Sequence, residues 1–224
     1  MNTNFIITIA RQLGSGGREI GAVLAKRMQA AFYDRELITL AAKESGLSPE
    51  VFEAVDEKAS FSLRGGLLGY RSSIMDGSYT GNYLNNEELF KIQSDVIREL
   101  ADRQSCVFVG RCADYILRDH PNVLKVFICA DLPDRIKRIS SLYQLSANKA
   151  RDLIEKTDKK RAAYYNFYTG RTWGETSSYH LCLNSSGLDI DAAVDFIRQL
   201  WKMKYGQEIP HQVRNDETAG SLNL

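Results

Sequence analysis

Between residues 14 and 19 the chain reads Gly14-Ser15-Gly16-Gly17-Arg18-Glu19, and the segments on either side have different periodicities. Residues 5–10 (FIITIA) are apolar and β-branched, the composition of a strand buried on both faces. Beyond the glycines, Ile20, Val23, Leu24 and Met28 share one helical face, while Arg18, Lys26 and Arg27 lie off it. A strand that turns through glycines directly into a helix aims main-chain amides, and the positive end of the helix dipole, at the C-terminal edge of a sheet. That arrangement is a seat for an anion. A tight turn using glycine only for positive φ is the plainer alternative, and three glycines in this context favour the anion seat.

The rest of the chain alternates in the same manner. Short apolar strands are expected at residues 30–33, 106–109, 123–130 and 179–183, each next to a helical pattern. Residues 85–103 form an amphipathic helix with Asn85 as its cap. Helices over 134–145 and 147–168 follow, the second capped by Ser146, and a last helix over 189–205 closes at Gly206. Shorter helices are expected at 36–44 and after Ser48-Pro49. Five strands alternating with helices predict an α/β fold with a parallel sheet. Residues 60–82, rich in Gly, Ser and Tyr, read as a mobile insert, and residues 207–224 as a flexible tail after a domain spanning 1–206.

The glycine loop departs from the Walker consensus G-x-x-x-x-G-K-[ST]. With Gly16 as the second consensus glycine, Arg11 stands at the first, Gly17 at the lysine and Arg18 one place beyond. Arg18 is then a candidate for the missing cation, with the planar fork of a guanidinium in place of an ammonium. Glu19 is a candidate Mg²⁺ ligand that would otherwise repel phosphate. Gly14-x-Gly16 with Asp34 further on also matches part of a dinucleotide fingerprint, but Glu19 occupies the third glycine position.

Composition narrows the partners. A formal net charge of +1 over 224 residues gives no global footprint for nucleic acid or an anionic membrane. No stretch approaches the ~20 apolar residues that span a bilayer, and Met1 to Ala10 lacks a basic n-region, so a cytoplasmic location is expected. The four cysteines (Cys106, Cys112, Cys129, Cys182) form no CxxC pair and read as buried free thiols. His120, His180 and His211 have no partners at metal-ligand or triad spacing.

The segments ITIA–GSGGRE (7–19), FYDRELI (32–38), VFVGR (107–111), KVFICADLPDRIKR (125–138), DKKR (158–161) and LNSSGLDID (183–191) together resemble the bacterial cytidylate kinases. The resemblance is closer to the cytidylate kinase-like family, whose members have this loop in place of a Walker lysine, and it covers about residues 5–200. It implies a three-layer P-loop NTPase-type fold with a five-stranded parallel sheet, helices on both faces and a helical lid over about 146–178. It further implies ATP and Mg²⁺ as cofactors and transfer of the γ-phosphoryl group to a nucleoside monophosphate or another small phosphorylated acceptor.

By the same resemblance, Arg11, Gly14, Ser15, Gly16, Gly17, Arg18 and Glu19 would hold the donor phosphates. Asp34, Arg35, Gly110 and Arg111 would bind the acceptor, and Arg18, Arg111, Lys160 and Arg161 would carry catalysis. Two departures from the family of true cytidylate kinases fall on the acceptor side: Cys112 replaces an aspartate, and Arg35-Glu36-Leu37 replace a small-residue turn. Residues 158–161 also read as a solvated helix face with an Asp158–Arg161 pair, and the aromatic run 164–168 reads as core. A nucleotide-binding sensor without catalysis is the alternative function, favoured by the missing lysine, Glu19 and Cys112.

Overall fold

The computed structural model describes residues 4–35, 38 and 83–206. The expected helices over 36–44 and after Ser48-Pro49, the insert at 60–82 and the tail at 207–224 lie outside the described residues, apart from Ile38. Five strands, β1 (Ile6–Arg11), β2 (Ala31–Tyr33), β3 (Cys106–Val109), β4 (Val123–Cys129) and β5 (Leu181–Asn184), form one sheet in the order β2-β3-β1-β4-β5. Every pairing is parallel, with Ile9 in register with Val109 on one side and Val126 on the other.

Among the described residues the α-helices are α1 (Gly17–Arg27), α2 (Tyr83–Arg103), α3 (Ala113–Ile116), α4 (Leu132–Tyr143), α5 (Ala147–Thr169) and α6 (Ile190–Tyr205). They cover both faces, as a parallel sheet without a solvated side requires. On one face Ile7, Ile9, Val107, Val126 and Ile128 pack against Ile20 and Leu24 of α1 and Val194, Ile197 and Trp201 of α6. On the other, Ile6, Phe108 and Val123 pack with Ile97 and Ala101 of α2, Ile116 of α3 and Tyr165 of α5. Strand β1 is flanked by β3 and β4, and Ile6, Ile7 and Ile9 are at most 1 % exposed, which is why residues 5–10 show no polar alternation.

Several ends follow sequence chemistry. Ser146 accepts a hydrogen bond from the Lys149 amide, Asp189 accepts one from the Ala192 amide, and Gly206 closes α6 at φ 66°. Other expectations are corrected. Helix α2 begins at Tyr83, so Asn85 lies inside it, and β5 runs from Leu181 to Asn184 in place of 179–183. Only Cys106 and Cys112 are buried; Cys129 is partly exposed and Cys182 exposed, because alternate residues of the edge strand β5 face solvent. The aromatic run divides: Tyr165 is core at 4 % exposure, whereas Phe167 is 61 % exposed.

Candidate functional site

Strand β1 ends at Arg11 beside the end of β4, and the chain then turns through Gln12, Leu13, Gly14 and Ser15 into α1. Gly14 (φ 84°) and Gly16 (φ 77°) adopt the left-handed conformation. The Arg135 backbone also approaches Gly14 so closely that a Cβ there would lie 2.9 Å from its carbonyl oxygen. Ser15 is 1 % exposed and folds back, donating from Oγ to the Gln12 carbonyl at 2.9 Å. Ser185, after β5, donates to the Ser15 carbonyl at 2.7 Å and to the Cys129 carbonyl at 3.0 Å.

Gly16 is the N-cap of α1 and supplies no side-chain cap. The first intrahelical bond runs from the Ile20 amide to the Gly16 carbonyl, so the amides of Arg18 and Glu19 have no acceptor within the helix. The dipole of an 11-residue helix adds positive potential at the same point.

Two further helices hold the loop. The Leu13 amide donates to Asp158 Oδ1 of α5 at 2.8 Å, and Arg135 Nε of α4 donates to the Leu13 carbonyl at 2.8 Å. Arg135 and Asp158 form a short ion pair with 8 % and 15 % of their side-chain surface exposed. Arg161, one turn along α5, is 3.6 Å from Asp158 and donates to the Arg11 carbonyl at 3.1 Å. Burial pushes the Arg161 pKa down; Asp158 opposes that shift, while Arg135 and Arg35 add to it. The guanidinium of Arg138 lies over Gly16 and meets Glu19 at 3.4 Å.

Arg18, in the first turn of α1, pairs with Asp34. Its Nη2 and Nε lie 2.6 and 2.8 Å from Asp34 Oδ2, and its guanidinium carbon is 5.9 Å from the centre of the Phe32 ring. It is bound there to the residue at the end of β2. Asp34 is 2 % exposed, and Arg35 beside it is exposed.

After β3 the chain makes a corner in which Gly110, Arg111 and Cys112 have φ of 83°, 55° and 56°. Three successive left-handed residues, two of them not glycine, store strain of the kind found at ligand sites. Arg111 Nε is buried without a hydrogen-bond partner, and the Arg111 guanidinium lies 5.4 Å from the Tyr164 ring of α5. Burial raises the Tyr164 phenol to about 12, against the pull of Arg111. Lys160 is partly buried on α5. Behind the corner, Asp114 is 5 % exposed and accepts a 2.7 Å hydrogen bond from the Tyr165 hydroxyl.

The structure thus gathers Arg11, Gly14, Ser15, Gly16, Gly17, Glu19 and Arg161 around the loop. Arg18 and Asp34 lie beside it, and Gly110 and Arg111 form the neighbouring corner. Arg135 of α4 is a buried support of the loop. The roles of Asp158, Ser185 and Asp114 were missed. Only Asp158 gave a signal, as an acid among the basic residues of α5. A cavity of about 510 Å³ opens beside Gly14 and Ser185, with Asp134, Arg138 and Leu142 of α4 and Leu188 on its walls. Among the described residues no group of three His, Cys, Asp or Glu side chains is placed to hold a metal ion, and no helix is long and apolar enough to cross a membrane.

A parallel sheet of this order, with a glycine loop leading from β1 into α1, defines a three-layer P-loop kinase-type fold. Within that class the chain belongs to the cytidylate kinase-like family, whose model matches residues 6–187. It is 25 % identical over 181 residues to a cytidylate kinase of Methanosarcina barkeri (strain Fusaro / DSM 804), covering 80 % of this chain and 86 % of that protein. The crystal structure of an uncharacterized protein from Eubacterium ventriosum ATCC 27560 superposes with a TM-score of 0.68 at 27 % identity, covering 89 % of this chain and 99 % of the other. A shikimate kinase from Bacteroides thetaiotaomicron shares the fold at a TM-score of 0.50 and 15 % identity, with 88 % and 98 % covered.

Proposed function

We propose that the protein is a phosphotransferase that moves the γ-phosphoryl group of ATP to a nucleoside monophosphate, CMP-like in class, or to another small phosphorylated acceptor. The observation that carries this reading is the anion seat itself. The loop lines the 510 Å³ cavity at Gly14, and the Arg11 side chain runs from Gly17 to the Gly110–Arg111 corner. The cavity is suited to the donor's base and ribose, the loop amides to its phosphates, and the corner with Asp34 and Arg35 to the acceptor. The family membership and the relative named cytidylate kinase support the same reading.

The chemistry asks little of the protein beyond placement and charge. An oxygen of the acceptor phosphate attacks the γ-phosphorus, the bond from that phosphorus to the bridging oxygen breaks, and ADP leaves with its electron pair. Arg111, at the left-handed corner after β3, would hold the acceptor phosphate. Lys160 and Arg161 of α5, in the segment expected to form the lid, would neutralise the transferring group. Arg18 fixes Asp34 for the acceptor.

A carboxylate at the start of α1 fits Mg²⁺, which commonly takes one or two carboxylates together with substrate phosphates and water. Glu19, 65 % exposed and lightly held by Arg138, is that carboxylate. When bound, the ion would neutralise charge on the donor phosphates.

A thermal-shift screen of ATP with and without Mg²⁺, followed by a coupled assay over nucleoside monophosphates and sugar phosphates, tests the reading. ATP stabilisation and turnover with one acceptor class are expected; turnover with none would defeat it. The absence of a lysine at Gly17 favours a second reading, a nucleotide-binding sensor, which predicts ATP binding without turnover.

A further inference from the structure

Gly17 occupies the lysine position of the Walker consensus, and the structure gives a steric reason for glycine there. A Cβ built on Gly17 would lie 2.6 Å from Arg11 Cβ, 3.1 Å from Arg11 Cγ and 3.4 Å from Ile128 Cβ. Real Cβ atoms do not approach other carbons at 2.6 Å, and neither neighbour can yield: Arg11 is the last residue of β1, and Ile128 is paired with it on β4. The stem of Arg11 therefore fills the place where a side chain at 17 would begin.

The other end of the same side chain is equally well placed. A Cβ on Gly110 would overlap Arg11 Nη1 and lie 3.1 Å from Arg11 Cζ and 3.4 Å from Nη2. The Arg11 side chain thus runs from the first residue of α1 to the left-handed corner after β3. Its guanidinium ends between the loop and the corner, where a phosphoryl group passing between two phosphates would be. The Arg11 carbonyl is held in turn by Arg161.

We propose that Arg11 takes the place of the Walker lysine. The consensus glycine and lysine are exchanged: the cation stands at the first position and glycine at the seventh, and the charge reaches the same phosphates from the end of β1 in place of the start of α1. The inference rests on the phosphotransferase reading, and it assigns the cationic contact to the β- and γ-phosphates to Arg11 and not to Arg18, whose guanidinium is bound to Asp34. It also makes glycine at 17 a requirement of that side chain's path.

The test is isothermal titration of ATP and AMP into the full chain, with unliganded melting and circular dichroism as controls for folding. Arg11→Gln should weaken ATP binding about 10- to 100-fold, the loss of one charge-assisted contact, and weaken AMP much less. Arg103→Gln, which removes an exposed cation of α2 far along the sequence, should leave ATP affinity unchanged. The exchange variant Arg11→Gly/Gly17→Lys should bind ATP better than Arg11→Gly alone. Undiminished ATP affinity in a folded Arg11→Gln protein overturns the assignment. If Arg11→Gln does not fold, the exchange variant decides, and no gain over Arg11→Gly overturns it. A wild-type chain that binds no ATP instead removes the phosphotransferase reading and this inference with it.

Discussion

Asp158 Oδ1 accepts the Leu13 amide at 2.8 Å, so a carboxylate on α5 forms part of the phosphate loop although 145 residues separate the two in sequence. The second oxygen of that carboxylate pairs with Arg135, which itself donates to the Leu13 carbonyl. Both backbone groups of Leu13 are thereby held, and neither helix can shift without disturbing the loop.

Breaking this pair should be costly. Asp158→Ala leaves Arg135 buried without its counter-charge, a change worth about 3–5 kcal/mol in comparable sites. Urea unfolding should show a loss of that order together with weakened ATP binding. Asp158→Asn keeps an acceptor for Leu13 and should lose less. A wild-type midpoint in Asp158→Ala would mean that the pair does not hold the loop.

Arg18 grips Asp34 from the first turn of α1. Arg18→Ala should raise the acceptor KM about tenfold or more, since a charge-assisted contact to a buried carboxylate is lost, while the ATP dissociation constant stays near its wild-type value. The opposite pattern, weaker ATP and unchanged acceptor KM, would place Arg18 at the donor phosphates.

Glycine should be needed at 14 for two separable reasons. Gly14→Ala meets both a left-handed φ of 84° and the Arg135 backbone, whereas Gly170→Ala meets a φ of 66° with nothing within 4 Å of the new methyl group. The first should lose about 2–4 kcal/mol and the second about 1 kcal/mol. Equal losses would show that the close approach to Arg135 costs nothing.

Asp114 should make stability depend on pH in an unusual direction. Burial, the largest influence, raises its pKa above 3.8, while the Tyr165 hydroxyl, a backbone hydrogen bond, Lys125 and Arg171 pull the other way. In the window from 3.8 up to the raised folded value, the native carboxyl keeps its proton while the unfolded chain releases it. Its contribution to stability therefore falls as pH rises through that window. Asp114→Asn cannot titrate, so its urea midpoint relative to wild type should rise with pH. A difference that is flat across the window would remove Asp114 as the cause.

The layers of the fold were legible because burial on both faces of a parallel sheet leaves uninterrupted apolar runs, as at Ile6–Ala10 and Val107–Val109. Caps at Ser146 and Gly206 were legible because they are local chemistry. The glycine loop and the Gly110–Arg111 pair stood out for the same reason. Arg135, Asp158 and Asp114 did not, since each works through a partner far away in sequence and nothing nearby separates a buried ion pair from a solvated one. The path of Arg11 was hidden for a further reason: the sequence shows that a lysine is missing at 17, but only the packing shows what fills the space.

The bend at Gly110, Arg111 and Cys112 holds two residues other than glycine at left-handed φ. Its conformational penalty is carried by the fold as a whole, so the packing of β3 and α3 around it has to offset a cost that a glycine at either position would lower.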